Sequence, residues 1–138
     1  MALTGRCYCG AVTLTASAEP QTVAYCHCAD CRRWTGAPLP AFAAFDPDIL
    51  ALAPEVEEVA HPSGVTRRNC AQCGSPLTAR FPYLPGQVYV PLGLLDQAAD
   101  FAPEVHCHAE NAYDWLHQSD GLPREVGSAR DKLQEART

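Results

Sequence analysis

Cys26, Cys28 and Cys31 crowd into six positions of the stretch YCHCADCRRWTG, residues 25–36, with His27 between the first two. Three thiols are one too many for a disulfide and one too few for a closed tetrahedral metal site. A second constellation is complete. CYCG at 7–10 and CAQCG at 70–74 each give two thiols followed at once by glycine. Four sulfurs at about 2.3 Å from a zinc ion lie about 3.8 Å from one another. Residues i and i+2 of a regular strand are about 6.5 Å apart, so the chain must curl at each knuckle. Gly10 and Gly74 permit that curl. Cys7, Cys9, Cys70 and Cys73 thus form a four-thiolate set with no open position, the signature of structural zinc. Metal there would contribute directly to folding.

For the trio three readings stand. A redox C-x2-C of Cys28 and Cys31 wants a thioredoxin-like βαβ context, which this β-rich chain lacks. His27 as fourth ligand would close a second structural site, yet strand neighbours point to opposite sides, so His27 should face away from Cys26 and Cys28. A three-cysteine zinc would keep a fourth position for substrate, as catalytic zinc characteristically does. Three thiolates leave such a zinc formally anionic, a poor activator of water but a suitable home for another soft thiolate. A bound cation would hold an incoming thiol deprotonated near neutral pH.

These clusters need a scaffold. The chain has 138 residues, the length of one domain, and 47% hydrophobic residues. Such a chain buries roughly two-thirds of its unfolded surface, enough for a real core. Lys and Arg total 10 and the formal net charge is −6. That balance argues against nucleic acid or an anionic membrane as partner. No signal-peptide or membrane-spanning run stands out, so a cytoplasmic location is expected. In a reducing compartment eight cysteines read as metal ligands or catalytic groups before disulfides.

AVTLTASA alternates, with Val12 and Leu14 on one face, as a half-buried strand does. TVAYCHC, LPAFAAF, ILALA, EVEEVA, VTRRNC, SPLTARF and QVYVPLGLL read as further short strands, punctuated by 12 prolines and 9 glycines. The expectation is an all-β fold with little helix. DQAADF is compatible with one helical turn, and NAYDWLHQ with a short helix or irregular chain. The polar end, SARDKLQEART, is too short and too poor in apolar residues to hold a helix alone, so it should fray.

The chain resembles the glutathione-dependent formaldehyde-activating enzyme family, which shares its domain with centromere protein V. The resemblance runs through GRCYCGAV, CHCADCRRWTGA, CAQCGSPL and HCHAENAYDWLHQSDGLPR. It implies a zinc-binding Mss4-like (β-tent) fold of short antiparallel sheets, over residues 1–126, with 127–138 as a polar tail. It implies a structural zinc on Cys7, Cys9, Cys70 and Cys73, and a catalytic zinc on Cys26, Cys28 and Cys31, where glutathione is proposed to meet the metal. The family reaction joins glutathione and formaldehyde into S-(hydroxymethyl)glutathione and is classed as a carbon–sulfur lyase. Asn69 stands where the family often has an aromatic residue, Ala112 where it often has lysine, and Cys107 lies outside the shared metal pattern.

Glutathione carries two carboxylates, for which Arg32, Arg33, Arg67 and Arg68 offer cations. His106 and His108 flank Cys107. On a strand they share one face; each reads first as a satisfied structural histidine, with proton carrier or partner of a ligand thiolate as the functional alternatives. Tyr113 and Trp115 suit a pocket wall or a cap on the core, and Asp120 with Gly121 suits a turn. The alternative to a thiol–aldehyde enzyme is a non-catalytic zinc-stabilised binding module, or a thiol or metal carrier, on the same fold.

Overall fold

The computed structural model describes residues 2–135. Ten strands alternate with short connections: β1 (Leu3–Arg6), β2 (Thr13–Ala16), β3 (Thr22–Cys26), β4 (Ala41–Phe45), β5 (Leu50–Ala53), β6 (Val59–Ala60), β7 (Thr66–Asn69), β8 (Pro76–Arg80), β9 (Val88–Pro91) and β10 (Val105–Cys107). The α-helices among the described residues are α1 (Ala29–Thr35) and α2 (Arg130–Gln134). A three-stranded sheet runs β1-β2-β5, and a seven-stranded sheet runs β10-β3-β4-β9-β8-β7-β6. The fold is all-β and Mss4-like, as expected. One detail departs from the expectation of antiparallel sheets: β10 pairs parallel to β3, with Cys107 opposite Cys26 and His106 opposite Tyr25.

The two sheets enclose one core and the large sheet carries another on its far side. In β4, Ala43 and Phe45 enter the first, with Leu3, Leu14, Leu77, Val88 and Val90. Phe42 and Ala44 enter the second, with Tyr89, Phe81 and Val105. Burial on both faces explains why AFAAF is a continuous apolar run, whereas TLTA of β2, half solvated, alternates. Gly5 lets β1 pass against the large sheet's connection, because a Cβ there would collide with the Leu94 carbonyl.

Three local expectations change. EVEEVA yields only the two-residue β6, and both its residues are exposed. Residues 29–35, read without a helix, form α1, capped by the Cys28 side chain and closed by Gly36 at φ 77°. The polar end does not fray over its described part. Leu133 of α2 is 3% exposed within the second core, and its carbonyl accepts a hydrogen bond of 3.0 Å from Gln87 Nε2. A helix too weak alone is held by tertiary burial. The last three residues of that stretch lie outside the described residues. DQAADF does make one turn, a 3-10 helix at Ala98–Asp100.

Candidate metal centres

Cys7 and Cys9 occupy the turn between β1 and β2, and Cys70 and Cys73 the turn between β7 and β8. Their four sulfurs lie within 4.8 Å of one another. The Cys7–Cys9 and Cys9–Cys70 separations are 3.6 and 3.9 Å, close to the tetrahedral edge of about 3.8 Å. Each knuckle curls as its glycine allows, with φ 82° at Gly10 and 77° at Gly74. Backbone N–H groups already point at sulfur, from Val12 to Cys7 at 3.3 Å and from Ala11 to Cys9 at 3.4 Å. The Ser75 hydroxyl, 3.1 Å from Cys73 Sγ, draws that thiol down to about 5. This set fits a cation ligated by four thiolates. It binds the end of the small sheet to the β7–β8 hairpin of the large one.

The second group forms on the opposite core. Strand β3 delivers Cys26 at its end, Cys28 caps α1, and Cys31 lies one turn into that helix. Cys26 and Cys28 sulfurs are 3.3 Å apart, and Cys28 Sγ accepts the Cys31 N–H at 3.3 Å. Charge is crowded here. Contact with Cys26 and then Cys31 pulls the Cys28 thiol far down, while Cys28 pushes Cys26 up to about 12. Cys26 and Cys28, with added burial, push Cys31 far up. The donors of this region that lie within 4.8 Å of one another, and so could hold a metal ion, are Cys26, Cys28 and His108; Cys31 is not among them. All eight cysteines are free thiols.

His27 does not join the thiols. As strand alternation predicts, it turns to the other face, where Nε2 meets His106 Nδ1 at 2.8 Å. His106 Nε2 in turn meets Asp120 Oδ2 at 2.9 Å, and Arg124 holds Asp120 at 3.0 Å. The ionised carboxylate accepts from His106 Nε2–H; with a neutral His106 ring, Nδ1 then accepts from His27 Nε2–H. His27 Nδ1 is buried and has no hydrogen-bond partner among the described residues. Asp120, read from sequence as a turn residue, therefore also fixes a buried imidazole pair. Nothing in sequence spacing signals that.

The histidine that does approach the thiols is His108. Its ring nitrogen and the sulfurs of Cys26 and Cys28 lie mutually within 4.8 Å. The expectation that His106 and His108 share a face fails because β10 stops at Cys107 and His108 adopts φ 55°. Cys107, buried against the same cluster, has its thiol raised to about 12 by that burial.

Two concavities lie along α1, and the second thiol group borders the smaller one. A cleft of about 670 Å³ is lined by Arg32, Arg33, Gly36, Pro38, Tyr113 and Trp115. Arg32 is fixed there by the Pro38 and Asn111 carbonyls at 2.8 and 2.9 Å, with its guanidinium 3.7 Å above the Tyr113 ring. Tyr113 and Trp115 wall this cleft, stacked with centroids 5.1 Å apart. A narrow apolar recess of about 30 Å³ borders Cys26, Cys31, Phe81, Tyr89 and His108. Arg67 belongs to neither. It is 4% exposed, bonded to Asp30 at 2.6 Å and stacked 4.3 Å over Trp34, so its charge is committed within the fold. Arg68 pairs with Glu58 at 3.3 Å. Asn69 joins the two centres, accepting from Trp34 Nε1 at 3.1 Å and donating to the Gly74 carbonyl at 3.2 Å.

The chain is similar in structure to the crystal structure of a Rhodobacter sphaeroides protein, a structural genomics target. The TM-score is 0.50 at 19% identity, covering 88% of this chain and 99% of that one. At that identity the likeness speaks to the fold alone. No curated protein matches. The family described as glutathione-dependent formaldehyde-activating enzyme matches residues 2–111, a span that takes in both thiol groups and His108 and stops before Tyr113, Trp115 and Asp120. With two interleaved thiol groups of metal-binding geometry inside a match over most of its length, the chain belongs to the glutathione-dependent formaldehyde-activating enzyme family.

Proposed function

We propose that this chain is a two-zinc enzyme of the carbon–sulfur lyase class that forms or cleaves S-(hydroxymethyl)glutathione. The observation that carries this reading is that Cys26 and Cys31 border a small apolar recess while α1, which carries Cys31, also lines a cationic cleft. Cys7, Cys9, Cys70 and Cys73 would hold a structural zinc. Cys26, Cys28 and Cys31 would hold the catalytic one, which, when bound, keeps a thiol deprotonated near neutral pH.

The protein's own residues bind and exclude. Arg32 and Arg33 face the cleft and suit the two carboxylates of glutathione. Arg32 is already tied to two carbonyls, so little ordering is left to be done on binding. Arg67, anchored to Asp30, instead orients the start of α1. The recess has room for about one or two heavy atoms, which suits formaldehyde and rejects longer aldehydes. In the joining direction a sulfur–carbon bond forms at the carbonyl carbon and the thiol proton ends on the new hydroxyl oxygen. No oxidant or reductant is needed. Eight free thiols are in keeping with a reducing, cytoplasmic setting.

Exchange NMR tests this reading. Glutathione, formaldehyde and their adduct interconvert spontaneously, and catalytic amounts of protein should speed the exchange. Arg32→Ala should weaken the dependence on glutathione while sparing the fold. An exchange rate unchanged by the purified zinc-loaded protein would refute the activity and favour a binding module or carrier.

A further inference from the structure

We propose that His108 is the fourth protein ligand of the second centre, so that Cys26, Cys28, Cys31 and His108 form a closed set which an incoming thiol must open by displacing an imidazole. The inference rests on that centre holding zinc, and it changes what its fourth position is in the resting protein.

Three observations point to His108. Its ring nitrogen and the Cys26 and Cys28 sulfurs lie mutually within 4.8 Å; Cys31 is outside that group, but its N–H donates to Cys28 Sγ at 3.3 Å and it borders the same recess as His108. Donors on one tetrahedral zinc are separated by about 3.8 Å or less, so closing the set requires the three to draw together and the Cys31 side chain to move in beside them. The second observation is how the ring reaches that side. Strand alternation would send His108 to the face of His106, away from the thiols. The backbone instead turns at His108 to φ 55°, a left-handed conformation uncommon outside glycine and one that costs energy to hold. Third, the turn is anchored. His108 N–H donates to the Gly127 carbonyl at 2.6 Å, and its own carbonyl accepts from Asn111 at 3.0 Å. The chain after β10 thus positions the imidazole. Glu110 Oε2, 3.9 Å from Nδ1, adds the carboxylate neighbour common to metal-bound histidines.

His27, the histidine that sequence places within the trio, is engaged with His106 on the other face. His108 therefore takes the role that the sequence offered to His27. It also borders the apolar recess, so its departure from the metal would open the fourth position at the recess.

The test uses zinc X-ray absorption and cobalt(II) substitution on the full chain. Asparagine is the replacement of choice because it tolerates the left-handed region better than alanine. In the wild-type protein loaded with two metals, the absorption spectrum should contain imidazole outer-shell scattering averaging one ring per two metals. In His108→Asn that scattering should vanish. The second metal should pass to a chelator at least ~10-fold more readily, and free imidazole should restore part of the lost retention. Glutathione should bind the cobalt form of His108→Asn more tightly than wild type, because nothing has to be displaced. Circular dichroism and retention of the first metal report an intact fold, and should the variant misfold, the wild-type spectrum decides alone. Two metals in the wild type without imidazole scattering would overturn the ligand role of His108 and leave the open three-cysteine centre standing. Binding of a single metal by the wild type would overturn both.

Discussion

At the scale of single residues, the proposed division of the two thiol groups into structural and catalytic centres makes different demands on each. Cys7 and Cys70 are 1% and 3% exposed and belong to the core between the sheets. Cys70→Ser removes one ligand of a closed set and places a hydroxyl among apolar neighbours, a loss on both counts. It should leave the protein rapidly degraded in a protease time course. Cys28→Ser keeps an oxygen that can still cap α1. It should lose the second metal and the activity while resisting the protease nearly as well as wild type. Equal digestion of the two would refute the division into structural and catalytic centres. Asp120 offers a titration. His106 above all, then the Leu122 N–H and Arg124, hold its carboxyl down at about 2. The unfolded value is about 3.9. A depressed carboxyl stabilises the folded chain above the unfolded value, and that support fades as pH falls towards 2. Asp120→Asn should therefore melt below wild type at neutral pH, with the difference closing between about pH 4 and pH 2. A difference that persists undiminished at pH 2 would show that charge is not what Asp120 contributes.

At the scale of elements, α2 and α1 show what a sequence pattern conceals. Leu133 is the buried contact of α2, in a core with Tyr89, Phe81 and Cys107. Leu133→Ala should cost about 2–5 kcal/mol in a denaturant titration. A cost near zero would mean that the helix is an ornament on the surface. β2 was legible because one face is wet, so Val12 and Leu14 alternate with polar residues. β4 was legible because both faces are dry. The thiol knuckles were legible because a rare residue type repeats at local spacing beside a turn glycine. α1 was not. Its seven residues lack an amphipathic stripe, and it is fixed by a cysteine cap and by Asp30 and Trp34 meeting Arg67 from β7. Nor was the imidazole pair, which joins His27 to a residue 79 positions away through a parallel strand pairing. Local spacing carries no record of such a partner.

At the scale of the whole molecule, the first centre is a clasp between sheets. The small sheet touches the large one and its connections through the shared core, the Gly5–Leu95 bridge, hydrogen bonds of Thr4 to Asp96 and Gln97 and of Tyr8 to Ser75, and the four thiols of the β1–β2 and β7–β8 turns. β1, β2 and β5 form no hydrogen-bonded ladder with the seven-stranded sheet. If a metal held by the four thiols were withdrawn, the small sheet would keep its apolar contacts and the Thr4 and Tyr8 hydrogen bonds to Asp96, Gln97 and Ser75 but lose the metal tie at its end. The large sheet, covered on both faces, depends less on that tie. A graded chelator series should therefore act in two steps. A mild chelator should take the second metal and leave amide exchange nearly unchanged. A strong one should take the first and speed exchange most in β1, β2 and β5, while β3, β4 and β9 stay protected. Uniform loss of protection on removing the first metal would mean that the two sheets unfold as one cooperative unit, with the clasp supporting the whole molecule.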